Sequence, residues 1–169
     1  PPGPPAGAGG DLVRPVDGPI SSPFGMRVHP VTGVRKLHDG TDFAVPCGTV
    51  VRAAATGVVS ATPTDSAYGV RVVVSHDGDL RTAYAHLSAR DVAVGDRVEA
   101  GDAVGRVGST GLSTGCHLHF MTLRGTRPTD PAQHLRAPGL ADQLGLEGDL
   151  HAGERLADRA ARLGLLGGL

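Results

Sequence analysis

Aromatic residues are scarce, five in 169 with no tryptophan. Stacking platforms for single-stranded nucleic acid and aromatic membrane belts cannot be assembled from so few. An excess of charge is lacking as well. Sixteen Lys and Arg face seventeen Asp and Glu, for a formal net charge of -1. Composition therefore offers no case for nucleic acid, or for a membrane bound through charge. No apolar run approaches the roughly 18 residues of a transmembrane helix. A signal peptide is missing too, but the chain opens on Pro1 without a start Met and reads as a mature or trimmed product. There are only two cysteines, Cys47 and Cys116. They are compatible with one disulfide, which would suit an exported protein. His-Glu-x-x-His is absent, which excludes the helical zinc-peptidase arrangement with a Glu base.

What is present suits one domain with a proper core. PPGPPAGAGG is low-complexity linker, and residues 1–15 are expected to lie outside the domain. From 16 to 137 the chain is dense in Val, Gly and short turn signals, as an all-β domain requires. VRVVVSH and DLRTAYAHL flank Asp77-Gly78, a dipeptide that favours a two-residue hairpin turn. Alternation would set Leu80, Thr82, Tyr84 and His86 on one face. GDRVEAGDAVG continues as short strands turning around a barrel or sandwich. In the tail, 138–169, Leu156, Ala160 and Leu163 fall at helical spacing, which predicts a short helix.

Chemistry concentrates in histidines. His38 and Asp42 stand four residues apart in a segment that runs into β-prone Phe43-Ala44-Val45, where a loop entering a strand can converge both on one point. Zinc accepts both donor types and takes four tetrahedral ligands, with one position left to water in catalytic sites. A surface turn explains the pair equally well. In His117-Leu118-His119-Phe120, a strand would aim both imidazoles one way and Leu118 and Phe120 into the core. Two solvated histidines on an exposed face are the blander alternative. His86, in Tyr84-Ala85-His86-Leu87, would pass for a single strand-end histidine if it stood alone.

Together these segments resemble the lysostaphin-type (LytM-like) peptidoglycan metalloendopeptidases. The likeness runs from about Pro19 to Leu135, through SSPFGMRVHPVTG, LHDGTDFAVPCGTVVRAAATGVV, YAHL and GDRVEAGDAVGRVGSTGLSTGCHLHF. The resemblance implies an antiparallel β fold, a sheet or sandwich with an open groove holding one zinc ion. His38, Asp42 and His119 would be its ligands. His86 and His117 would be the catalytic histidines that serve the water, the oxyanion and the leaving amine. The implied substrate is a peptidoglycan peptide, attacked by a monomer outside the cell or in its envelope, with a phage lysin as one source. A D,D-endopeptidase is favoured over glycyl-glycine cleavage, because nothing marks a dedicated glycine-bridge module. In the family's arrangement the Asp42 and His119 strands supply one zinc ion, which implies a Cys47–Cys116 bridge.

The chain departs from the family at Met121, where Glu is frequent, at Cys116, where Pro is frequent, and in having no tyrosine upstream of His38. Two other classes compete. An inert relative that binds the wall or activates another hydrolase would typically have lost ligands, and all five positions are filled. A biotinyl or lipoyl carrier needs a hairpin-tip lysine, and the one lysine, Lys36, precedes the GDRVEAGDAVG rhythm.

Overall fold

A computed structural model describes residues 11–28 and 32–136 of the chain. The Pro/Gly-rich opening and the helix expected in the 138–169 tail lie outside the described residues. Within them the strands run in order as β1 (Ile20–Ser22), β2 (Gly25–Val28), β3 (Arg35–His38), β4 (Thr41–Phe43), β5 (Val50–Arg52) and β6 (Gly57–Ala61). There follow β7 (Thr64–Asp65), β8 (Gly69–Ser75), β9 (Leu80–Arg90), β10 (Arg97–Val98), β11 (Ala103–Val107), β12 (Leu118–Arg124) and β13 (Arg127–Thr129). The only helical element among the described residues is a 3-10 turn, Pro131–Gln133. The all-β expectation holds.

The main sheet is antiparallel, in the order β1-β4-β12-β9-β8-β6-β10, with β11 pairing both β5 and β9. β2 and β3 form a separate two-stranded ribbon. Val-rich β8 and the eleven-residue β9 form the hairpin that the sequence predicted. Its loop has three residues rather than two. The His76 N–H donates to the Leu80 carbonyl at 2.9 Å, leaving Asp77–Asp79 to turn, with Gly78 left-handed at φ 68°.

Phe43, Tyr84, Leu87, Leu118 and Phe120 are fully buried with Val51, Val59, Val72, Val74, Val104 and Val107. β-branched side chains pack well on a pleated surface, and burying each aliphatic or Phe side chain contributes roughly 1.5–3 kcal/mol. Phe120 stands edge-on to Phe43 and tilted against Tyr84. The buried Tyr84 hydroxyl is satisfied, accepting from the Ala54 N–H at 2.8 Å. Packing begins earlier than the linker expected to reach residue 15. Leu12 is buried and bridged to Leu135, with its N–H bonded to the His134 carbonyl.

Cys47 and Cys116 are bridged, with Cα atoms 5.1 Å apart and a sequence separation of 69. The bridge sits at the end of the β4–β12 ladder, where Leu118 pairs with Phe43 and His119 with Asp42.

Candidate metal centre

That ladder is what builds the centre. His119 lies directly across from Asp42, so their side chains leave the sheet on the same face. The neighbours Leu118 and Phe120 point the other way, into the core, as strand alternation predicted. His119 Nδ1 lies 2.8 Å from Asp42 Oδ1. His38 ends β3, and its Nε2 lies 3.2 Å from Asp42 Oδ2. His38 Nδ1 donates to the Pro23 carbonyl at 2.8 Å, which holds the ring with Nε2 towards Asp42.

Gly40 makes this convergence possible. A Cβ there would stand 2.5 Å from the Phe120 carbonyl oxygen and 2.9 Å from two atoms of the His119 ring. Only a residue without a side chain lets β12 come this close to the loop between His38 and Asp42.

One donor atom each from His38, Asp42 and His119 can be chosen so that all three lie within 4.8 Å of one another. Tetrahedral ligands at about 2.0–2.1 Å from an ion stand roughly 3.3 Å apart, close to the His38–Asp42 spacing. The set suits a divalent cation of zinc's type in chemistry as well as in geometry. Two imidazoles and one carboxylate are the donor set of a catalytic rather than a structural site, where the fourth position would be left to water.

The electrostatics without an ion are those of clustered donors. Burial pushes the Asp42 carboxyl up, but hydrogen bonds from His119 and His38 outweigh it and hold the group well below the carboxylate range. For His119 burial disfavours the charged ring, yet hydrogen bonds to Asp39 and Asp42 prevail and raise its pKa to about 9. A cation entering the site takes the place of that proton.

Two further histidines border the same space. The His117 ring lies 4.8 Å from that of His86, and His86 is 5.9 Å from His119, centroid to centroid. His117 Nε2 is 3.8 Å from Asp42 Oδ1. His117 Nδ1 donates to the Gly115 carbonyl at 2.9 Å, and His86 Nδ1 to the Thr110 carbonyl at 2.6 Å. Both rings therefore have Nδ1 tied to a backbone carbonyl, which leaves Nε2 as the nitrogen for other partners. Burial, ahead of the Thr110 bond that opposes it, lowers the His86 pKa, so this ring is neutral near pH 7.

His86 reaches the groove by breaking the alternation that the sequence suggested. Val72 pairs with Tyr84 but Val70 pairs with Leu87, so β9 carries one residue more than β8 there. His86 occupies this bulge with φ 59°, the one non-glycine residue with positive φ among those described. A bulge re-aims a side chain, and here Tyr84 stays in the core while His86 turns towards the other histidines.

Two residues of the centre escaped the sequence reading. Asp39 Oδ1 lies 2.8 Å from His119 Nε2, and the Tyr68 hydroxyl donates to Asp39 Oδ2. The Tyr68 ring stacks on His119 at 5.9 Å and 25°. Asp39 looked like a turn residue beside Gly40. Tyr68 follows it by 29 residues with no local signal. An open cleft beside Asp42 and His117 is lined further by Ser21, Ala44, Thr114, Gly115 and Cys116.

The profile of Peptidase family M23 matches residues 36–131. The chain is 46% identical over 112 residues to the DD-carboxypeptidase/endopeptidase Mpg of Neisseria meningitidis, covering 66% of this chain and 26% of that protein. It is 43% identical over 102 residues to the peptidoglycan DD-endopeptidase ShyC of Vibrio cholerae, covering 60% and 24%. The chain thus spans about a quarter of the length of the curated relatives it matches. A zinc containing peptidase from Vibrio cholerae superposes with a TM-score of 0.67 at 37% identity, over 74% of this chain and 39% of that one. The catalytic domain of lysostaphin from Staphylococcus simulans gives 0.61 at 32% identity, over 68% and 90%.

Proposed function

This chain belongs to peptidase family M23, and on that premise we propose that it is a zinc endopeptidase hydrolysing peptide cross-links of bacterial peptidoglycan. The observation that carries the reading is the meeting of two sets of groups on one groove. Three donors suited to an ion, His38, Asp42 and His119, stand beside two histidines whose Nδ1 atoms are tied to backbone carbonyls. Structural metal sites need only the first set.

Zinc held by His38, Asp42 and His119 would polarise the scissile carbonyl and acidify a water molecule from a pKa of about 15.7 towards about 7. The neutral His86 ring accepts a proton at Nε2, and its Nδ1 bond to the Thr110 carbonyl keeps that tautomer facing the groove. His117, with Nδ1 tied to the Gly115 carbonyl, presents Nε2 across from it. Together the two rings move the proton between the attacking water and the amine that leaves. Their short separation lets one face the oxyanion while the other serves the amine. The cleft past Ser21, Thr114 and Gly115 gives an extended peptide a path beside the centre.

Cleavage of D,D bonds is the favoured specificity. Relatives bearing that name stand at 39–46% identity, against 32% for the lysostaphin domain. A substrate of this kind puts the working site in the cell envelope or outside the cell. The test is mass spectrometry of fragments that the zinc-loaded protein releases from two purified sacculi, one directly cross-linked through D-alanine and one bridged by glycines. Monomers carrying a free D-alanine terminus are expected from the first. Release from the glycine-bridged sacculus alone would overturn the specificity, and release from neither would overturn the activity.

A further inference from the structure

We propose that Asp39 is a positioning residue of the metal centre, held in place by Tyr68. It fixes His119 in the tautomer protonated at Nε2, so that the Nδ1 lone pair faces the ion. The inference rests on the reading of His38, Asp42 and His119 as ligands.

The geometry divides the two nitrogens of His119 between two carboxylates. Nδ1 meets Asp42 on the side of the other ligands, and Nε2 meets Asp39, each at 2.8 Å. An imidazole that ligates through one nitrogen carries its proton on the other. An acceptor for that proton orients the ring and makes it a stronger ligand. Asp39 lies on the far side of the ring from Asp42 and is not one of the three clustered donors. It therefore acts through His119.

The three other histidines of the centre have carbonyl partners at Nδ1: Pro23 for His38, Thr110 for His86 and Gly115 for His117. His119 alone among these four has a carboxylate behind it, which makes a stronger charge-assisted bond. Of the three rings facing Asp42 it is also the most buried, at 6% exposed against 16% for His38 and 22% for His117. Asp39 and Asp42 together balance the charge of a divalent cation. Met121, two residues along β12, is buried and offers no carboxylate that could replace Asp39.

Tyr68 completes the support. Its hydroxyl donates to the second oxygen of Asp39, its ring stacks on His119, and the Arg71 guanidinium lies 4.5 Å over the Tyr68 ring. One side chain thereby restrains both the carboxylate and the imidazole it orients.

Zinc affinity, measured by chelator competition on the full chain without substrate, tests this. Asp39→Ala should bind zinc about 10–100-fold more weakly than the wild type. Asp39→Asn keeps a neutral acceptor and should fall between them. Tyr68→Phe should weaken binding by a smaller factor and shift the visible absorption of the cobalt-loaded protein. Thermal melts of the metal-free forms identify any variant that fails to fold. Should Asp39→Ala be one, the near-isosteric Asp39→Asn carries the test. Wild-type affinity in a folded Asp39→Ala, or in Asp39→Asn where that variant carries the test, overturns the proposal. A wild type that binds zinc yet leaves peptidoglycan intact sinks the hydrolase reading while this comparison stays decisive. A wild type that binds no zinc sinks both.

Discussion

Opening the Cys47–Cys116 bridge perturbs the segments that carry the metal donors without touching a donor. The bridge joins residues 69 apart, closing a loop of about 70 residues. In the chain-entropy account such a cross-link removes roughly 15 cal/mol/K from the unfolded ensemble, or about 4 kcal/mol at 25 °C. The folded state should change little, because β4 and β12 remain paired through Leu118–Phe43, His119–Asp42 and Phe120–Thr41. The Cys47→Ala/Cys116→Ala protein should therefore lose about 4 kcal/mol in urea unfolding. Its Tm should fall by roughly 10–20 °C for a domain of this size. The assay belongs in the metal-free protein, since a bound ion stabilises the fold by mass action and would mask part of the loss. Zinc affinity, by contrast, should stay within about threefold of the bridged protein, because the cross-link acts mainly on the unfolded chain. A loss below about 1 kcal/mol would refute the entropic reasoning. An unchanged stability with a collapse of zinc affinity would show that the bridge shapes the site instead.

Metal analysis after dialysis should find one zinc per wild-type chain and none in His119→Ala, and full occupancy in that variant would remove His119 from the ligand set. His86→Ala and His117→Ala should keep their zinc and lose about 100-fold or more in kcat/KM, as expected for a missing acid–base group. Metal-free protein should lose stability between about pH 6.5 and 9. His119 is raised from 6.5 to about 9 on folding, so its contribution is complete below the first value and gone above the second. Melting in chelator across that range should show the fall, and a flat Tm would contradict it. Gly40→Ala would drive a Cβ into the Phe120 carbonyl and the His119 ring, costing roughly 1–3 kcal/mol by urea unfolding and weakening zinc binding. Wild-type values in both would show that the loop yields.

The parts of this protein that the sequence determined by itself are those ruled by short-range periodicity. Side chains two apart on a strand share a face, so His117-Leu118-His119-Phe120 already implied two imidazoles on one side and a core on the other. Valine density and turn residues were enough for an all-β domain and the β8–β9 hairpin. The cysteine pairing became legible only through the family resemblance, since neither spacing nor composition joins Cys47 to Cys116, and the proposed ligand set rests on the same resemblance.

The tertiary structure decided whatever depended on one segment meeting another. Alternation along β9 alone would leave His86 beside Tyr84 in the core. The extra residue that turns it outwards shows only in the register against β8. Asp39 read as a turn residue because its partners are 29 and 80 residues away, at Tyr68 and His119. Leu12 looked like linker until Leu135 came to lie against it. A local pattern specifies which way a side chain points relative to its own strand. Which group it then meets is set by strand order and register, which the packing of the whole sheet determines.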